Sequence, residues 1–106
     1  MNFVAKKETT KDKDCLTVRW KKIRDNDLSN FNTFYVSVKS SDKSLNVLFY
    51  ADEKNLNDGV YEVKYYSSSA LVNLLEVTVT PFTSLGFAIA STRSFNFSKR
   101  KKILLT

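Results

Sequence analysis

The 106-residue chain has no histidine, one cysteine, two glycines, one proline and one tryptophan. No side chain therefore titrates near neutral pH at its ordinary value, and Cys15 alone can form neither an internal disulfide nor a thiolate zinc site. Gly59 and Gly86 stand too far apart to build a glycine-rich phosphate loop. Apolar runs span only a few residues, short of a membrane-crossing helix, and Met1–Ala5 meets Lys6 and Lys7 before a secretory signal could develop. A lone thiol and no signal segment predict an intracellular setting, host cytoplasm or virion if the source is viral, and not a secreted one. The acceptor pattern Asn96-Phe97-Ser98 would matter only in a secreted chain.

What the chain does contain is a globular balance of 42% hydrophobic, 13% aromatic and 26% charged residues. That suffices for one core and is too little for two, so residues 1–106 are read as a single all-β domain with a basic C-terminal segment at 98–106. The net charge of +6 is uneven: residues 1–24 carry +5, residues 25–98 carry −3, and Lys99, Arg100, Lys101 and Lys102 add +4. Basic ends around a mildly acidic body predict a localised anionic partner, whether nucleic acid, an anionic membrane surface or an acidic protein.

The dominant pattern has period two. Leu16, Val18 and Trp20 alternate with Thr17, Arg19 and Lys21, so one face of that segment is apolar and the other basic. Phe34, Val36 and Val38 alternate with Tyr35, Ser37 and Lys39, Tyr61, Val63 and Tyr65 with Glu62 and Lys64, and Leu75, Val77 and Val79 with Glu76, Thr78 and Thr80. Leu45, Val47 and Phe49 share a face, but Leu48 and Tyr50 make the other face apolar too, which predicts a strand covered on both sides. Pro81 is expected to close the strand that ends at Thr80. Leu85, Phe87, Ile89, Phe95 and Phe97 share one parity, interrupted by Ser91 and Arg93, and are read as two strands with a turn between. Only Asp52-Glu53-Lys54-Asn55 hints at a helical turn. Polar breakers near ten-residue intervals then predict a small antiparallel β-sandwich of about seven strands, with a small OB-like barrel as the alternative.

Leu16-Thr17-Val18-Arg19-Trp20 resembles the second strand, with its core tryptophan, of a fibronectin type III or related immunoglobulin-like sandwich. Phe34–Val38 sits where the third strand would, Leu56–Tyr65 is similar to the turn and corner tyrosine that open the penultimate strand, and residues 74–80 would be the last strand. The resemblance covers about residues 3–80 and implies a β-sandwich. The chain departs from it in lacking proline-rich loops, in the tight Gly59–Tyr61 spacing and in the 25 residues after Pro81. Val63 also stands where the immunoglobulin pattern has its second cysteine.

The inventory for catalysis is thin, and the chain is read as a non-enzymatic protein with no cofactor and no metal. Asp25, Asp27 and Ser29 begin like a calcium loop, but Asn30 occupies the glycine position and Val36 that of the bidentate glutamate. Asp52 and Glu53 are solvated neighbours on a polar turn, and Cys15 reads as a small, semi-buried apolar residue.

Interleaved cations and rings carry more information. Arg19, Lys21 and Arg24 lie near Trp20, and Arg93, Lys99, Arg100, Lys101 and Lys102 surround Phe95 and Phe97. Single-stranded nucleic acid is held by such pairings, cations along the phosphates and rings under the bases. Trp20, Phe95 and Phe97 share parity with core residues, so the stacking rings are expected to be Tyr35 and Tyr66, with Tyr50 as a further candidate. The leading expectation is thus a nucleic-acid-binding protein. The alternative is a protein-interaction or assembly module, as in a phage or virus particle, homo-oligomeric or bound to another protein through strand 85–90 and the apolar tail at 103–105.

Overall fold

In the computed structural model the alternating segments become strands of two antiparallel sheets; the structure describes residues 2–10, 13–22, 32–68, 71, 74–83, 86–87 and 90–97. The strands are β1 (Val4–Thr10), β2 (Lys13–Lys21), β3 (Thr33–Ser40), β4 (Asn46–Ala51), β5 (Leu56–Asn57), β6 (Val60–Ser67), β7 (Leu74–Thr83), β8 (Gly86–Phe87) and β9 (Ser91–Asn96). The first sheet has the order β1-β2-β6-β5; the second runs β4-β3-β7, with β8 and β9 both paired to β7. The fold is a small β-sandwich, and its two separate sheets set aside the barrel alternative.

Burial of the apolar face of each strand joins the sheets. Leu16 and Val18 of β2, Val36 and Val38 of β3, Tyr61 of β6 and Val77 and Val79 of β7 are all but inaccessible. Each such side chain contributes roughly 1.5–3 kcal/mol by leaving water. The sheets are tied at one end by three rings. Trp20 stacks on Tyr61 at 5.6 Å between centroids, and Phe34, from the facing sheet, meets both edge-on at 5.1 and 4.7 Å. Burying these three sets the phase of β2, β3 and β6, and their neighbours in sequence must point outward.

Turn chemistry explains the short connections. Asp58 and Gly59 both have positive φ, 53° and 80°, as a two-residue hairpin between β5 and β6 requires. Asp52 caps a 3-10 turn at Glu53–Asn55, where the helical hint lay: its carboxylate accepts from Lys54 N–H while Asn55 Oδ1 accepts from Asp52 N–H.

Several expectations are corrected. β4 is an edge strand: Val47 and Phe49 are half-buried, and on its outer face Leu48 and Tyr50 are each 62% exposed, so the strand is not covered on both sides. β7 runs through Pro81, which is buried opposite Phe34. The ladder spares its missing N–H because the register on the far side of β7 slips there. Three positions separate 87 from 91, against the two between 79 and 82 that they oppose. The same slip pairs position 87 with outward-facing Phe82 while Phe95 lies opposite buried Leu75, so a shared parity along 85–97 does not mean a shared face. The strand holding Tyr61 pairs with β2, not with β3. β7 lies beside β3, and β8 and β9, after Pro81, supply the last strands. β1, which period two does not reveal, completes the first sheet.

One polar cluster lies inside. Asp14 is buried on the inner side of β2; its Oδ1 accepts from Thr9 Oγ1 at 2.6 Å and its Oδ2 from the backbone N–H of Leu71 at 2.5 Å. Lys7 Nζ donates to Leu71 O at 3.1 Å. The carboxylate thus holds buried Leu71 against β1 and β2. Asp14→Ala leaves a buried N–H unpaired and is expected to cost about 1–3 kcal/mol in urea unfolding.

Tyr61 makes the opposite case. Among the described residues neither its hydroxyl nor Trp20 Nε1 has a hydrogen-bond partner, although both are buried. Burial first, then Glu53 and Asp52, push the Tyr61 hydroxyl above its ordinary value of 10.0. The folded chain therefore keeps a proton that the unfolded chain releases, so this stabilisation is full below about pH 10 and is lost as pH rises beyond it. Tyr61→Phe is expected to raise stability at pH 7 by about 1 kcal/mol and to flatten the alkaline decline, both read from urea midpoints. A loss of stability at pH 7 would show that the hydroxyl is satisfied.

Candidate nucleic-acid interface

The outward side chains of the first sheet come from β1 (Val4, Lys6, Glu8), β2 (Lys13, Cys15, Thr17, Arg19, Lys21) and β6 (Glu62, Lys64, Tyr66). Register sets them in rows: Val4, Arg19 and Glu62; Lys6, Thr17 and Lys64; Glu8, Cys15 and Tyr66. Five cations therefore face two carboxylates. Lys6 pairs with Glu8 at 3.6 Å and Arg19 with Glu62 at 3.4 Å, and these exposed pairs hold little energy. Lys13, Lys21 and Lys64 form no ion pair among the described residues. Tyr66, 66% exposed, stands on the same face opposite Cys15 and next to Lys64 along β6. Cys15 and Thr17 are buried although they point outward.

By contrast the outer face of the second sheet is nearly uncharged: Lys39 lies opposite Glu76, and the rest of β3, β4 and β7 presents Ser, Thr, Asn, Leu and aromatic side chains. An open cleft of about 440 Å³ beside the turn at 41–44 sets Lys39 and Lys43 against Glu76, a surplus of one positive charge where the first sheet has three.

The structure places three of the expected residues, Arg19, Lys21 and Tyr66, on one face of the first sheet. Tyr35 lies on the opposite sheet, one ring face already stacked on Phe82 at 4.3 Å, the ring tilted toward Tyr50 at 4.8 Å. Its hydroxyl is held above the usual tyrosine value chiefly by a hydrogen bond with Tyr50. It therefore does not join the basic face. Arg93 is on the inner side of β9, opposite Val77. Its Nη1 donates to Phe3 O at 2.6 Å, and its guanidinium lies 5.1 Å from the centre of the Phe95 ring, so it bridges the two sheets at their β1–β9 edge. Arg24, Lys99, Arg100, Lys101 and Lys102 lie outside the described residues, as do 103–105 and, within 85–90, positions 85, 88 and 89. Sequence reasoning does not single out Lys6, Lys13 and Lys64 as site residues; the excess of charge in residues 1–24 is the one sequence signal for the first two.

Among the described residues no three His, Cys, Asp or Glu side chains are grouped as metal ligands, and no helix is long and apolar enough to cross a membrane. Comparison with known proteins finds no matching family model, no similar curated protein and no similar solved structure.

Because Arg93 closes the sandwich edge, Arg93→Ala is expected to cost about 1–2 kcal/mol and to speed amide exchange in β1. Unchanged exchange near Phe3 would free Arg93 for a surface role.

Proposed function

We propose that this is a non-enzymatic protein that binds nucleic acid, single strands by preference, across the outer face of its first sheet. The observation that supports this reading is the asymmetry of charge between the two sheets: five cations against two carboxylates on one, near balance on the other. Lys13, Lys21, Lys64 and Arg19 would lie along phosphates and Tyr66 under a base. The terminal cations Lys99, Arg100, Lys101 and Lys102 add to the same attraction. Phosphate binding of this kind releases counterions, so affinity falls steeply with salt. A sandwich of the immunoglobulin-like kind, used as a rigid platform, is the architectural part of the proposal.

Fluorescence anisotropy with a single-stranded oligonucleotide at several salt concentrations tests it. Lys13→Glu/Lys21→Glu/Lys64→Glu is expected to weaken binding and to lower the logarithmic salt slope by roughly 0.7 for each phosphate that is no longer neutralised. Tyr66→Ala is expected to cost roughly 1–3 kcal/mol with the slope unchanged. All four side chains are exposed, so folding should be unaffected. Reversing Lys99, Arg100, Lys101 and Lys102 measures the share of the terminal cations. Affinity indifferent to every one of these changes removes the reading.

A further inference from the structure

We propose that β4 is a self-association edge, through which two copies of the chain pair antiparallel across a two-fold axis and join their second sheets into one. This stands apart from whatever the basic face binds. Among the described residues β4 ends the strand order of its sheet and pairs only with β3, so alternate N–H and C=O groups along its other side point away from the sheet. Edges of this kind are ordinarily blunted by charge, proline or brevity. β1 carries Lys6, Lys7 and Glu8, β9 carries Arg93, and β5 has two residues. Asn46-Val47-Leu48-Phe49-Tyr50-Ala51 has none of these protections, and it leaves Leu48 and Tyr50 bare on its outer face.

The edge fits a second copy for reasons of pattern and charge. Residues directly opposite in an antiparallel pair share a face, and a register centred on Phe49 sets Leu48 against the partner's Tyr50 and Val47 against the partner's Ala51. Large apolar side chains thereby meet large ones on the outer face of both copies.

The two ends of β4 also differ in sign. Before it come Lys39 and Lys43 with Asp42, whose Oδ1 is occupied by Ser40 Oγ, Ser44 N–H and Ser44 Oγ. After it come Asp52 and Glu53 with Lys54. One end is thus net positive and the other net negative. Antiparallel pairing lays the Lys43 end of each copy beside the Asp52–Glu53 end of the other, whereas parallel pairing would set like against like. Two chains of net charge +6 also repel least where neither presents charge, which is the stretch between those ends.

Sedimentation of the nucleic-acid-free full chain tests the proposal. The expected species has twice the 12.2 kDa chain mass. Leu48→Lys/Tyr50→Lys should run as a monomer with an unchanged circular dichroism spectrum, because both side chains are exposed. Lys43→Glu should weaken the dimer by roughly threefold to fivefold, and Lys43→Glu/Glu53→Lys should recover most of that loss. A single 12.2 kDa species at roughly 1 mM, the weak end of specific association, overturns the proposal. So does an oligomer that survives Leu48→Lys/Tyr50→Lys, or a double charge reversal that associates no better than the single one.

Discussion

The contact among Trp20, Phe34 and Tyr61 decides most of what the surface looks like. These rings come from β2, β3 and β6, and each is buried between the sheets. A strand has only two faces, so fixing one residue inside fixes every other residue of the segment. Arg19 and Lys21 are outside because Trp20 is inside; Glu62 is outside because Tyr61 is inside; Tyr35 is outside because Phe34 is inside. The basic platform is in this sense the reverse side of the aromatic core. Losing the phase of β2 would exchange the two.

The sandwich separates two kinds of surface. Its first sheet shows cations and one exposed tyrosine, and its second shows hydroxyls, aromatic rings and an uncharged edge. Packed sheets lie about 10 Å apart, so ligands on the two sides need not compete for space. A charged ligand and a second copy of the chain draw on different physics as well, one screened by salt and the other strengthened by it. The arrangement accommodates both at once.

How far the sequence foretells this depends on whether neighbours matter. β2, β3, β6 and β7 are legible because each has one face in the core and one in water, and Leu16, Phe34, Tyr61 and Leu75 mark the buried side unmistakably. β1 is not, because its inner face includes Lys7 and Thr9, which serve Leu71 and Asp14 and blur the alternation. The burial of β4 cannot be read in the same way, since apolar residues on both faces say nothing about whether a second layer exists. Asp14 stands beside Lys13 at the opening of β2, where nothing in the sequence marks it as a buried acceptor for Leu71. For the candidate site, parity places Arg19, Lys21 and Tyr66 outward correctly, but only strand pairing can add Lys6 and Lys64 to the same rows or put Tyr35 on the other sheet. Arg93 shares parity with Phe95, so its inward position is readable; its bond to Phe3 is not.

The slip in register beside Pro81 ties two distant features of the chain together. The imino acid sits where the ladder from β8 to β9 is out of step by one residue. Shortening 88–90 by one would bring the two strands into a single continuous run and would at the same time ask Pro81 for a hydrogen it does not possess. The number of residues between the two strands and the ring across from them are therefore expected to change together.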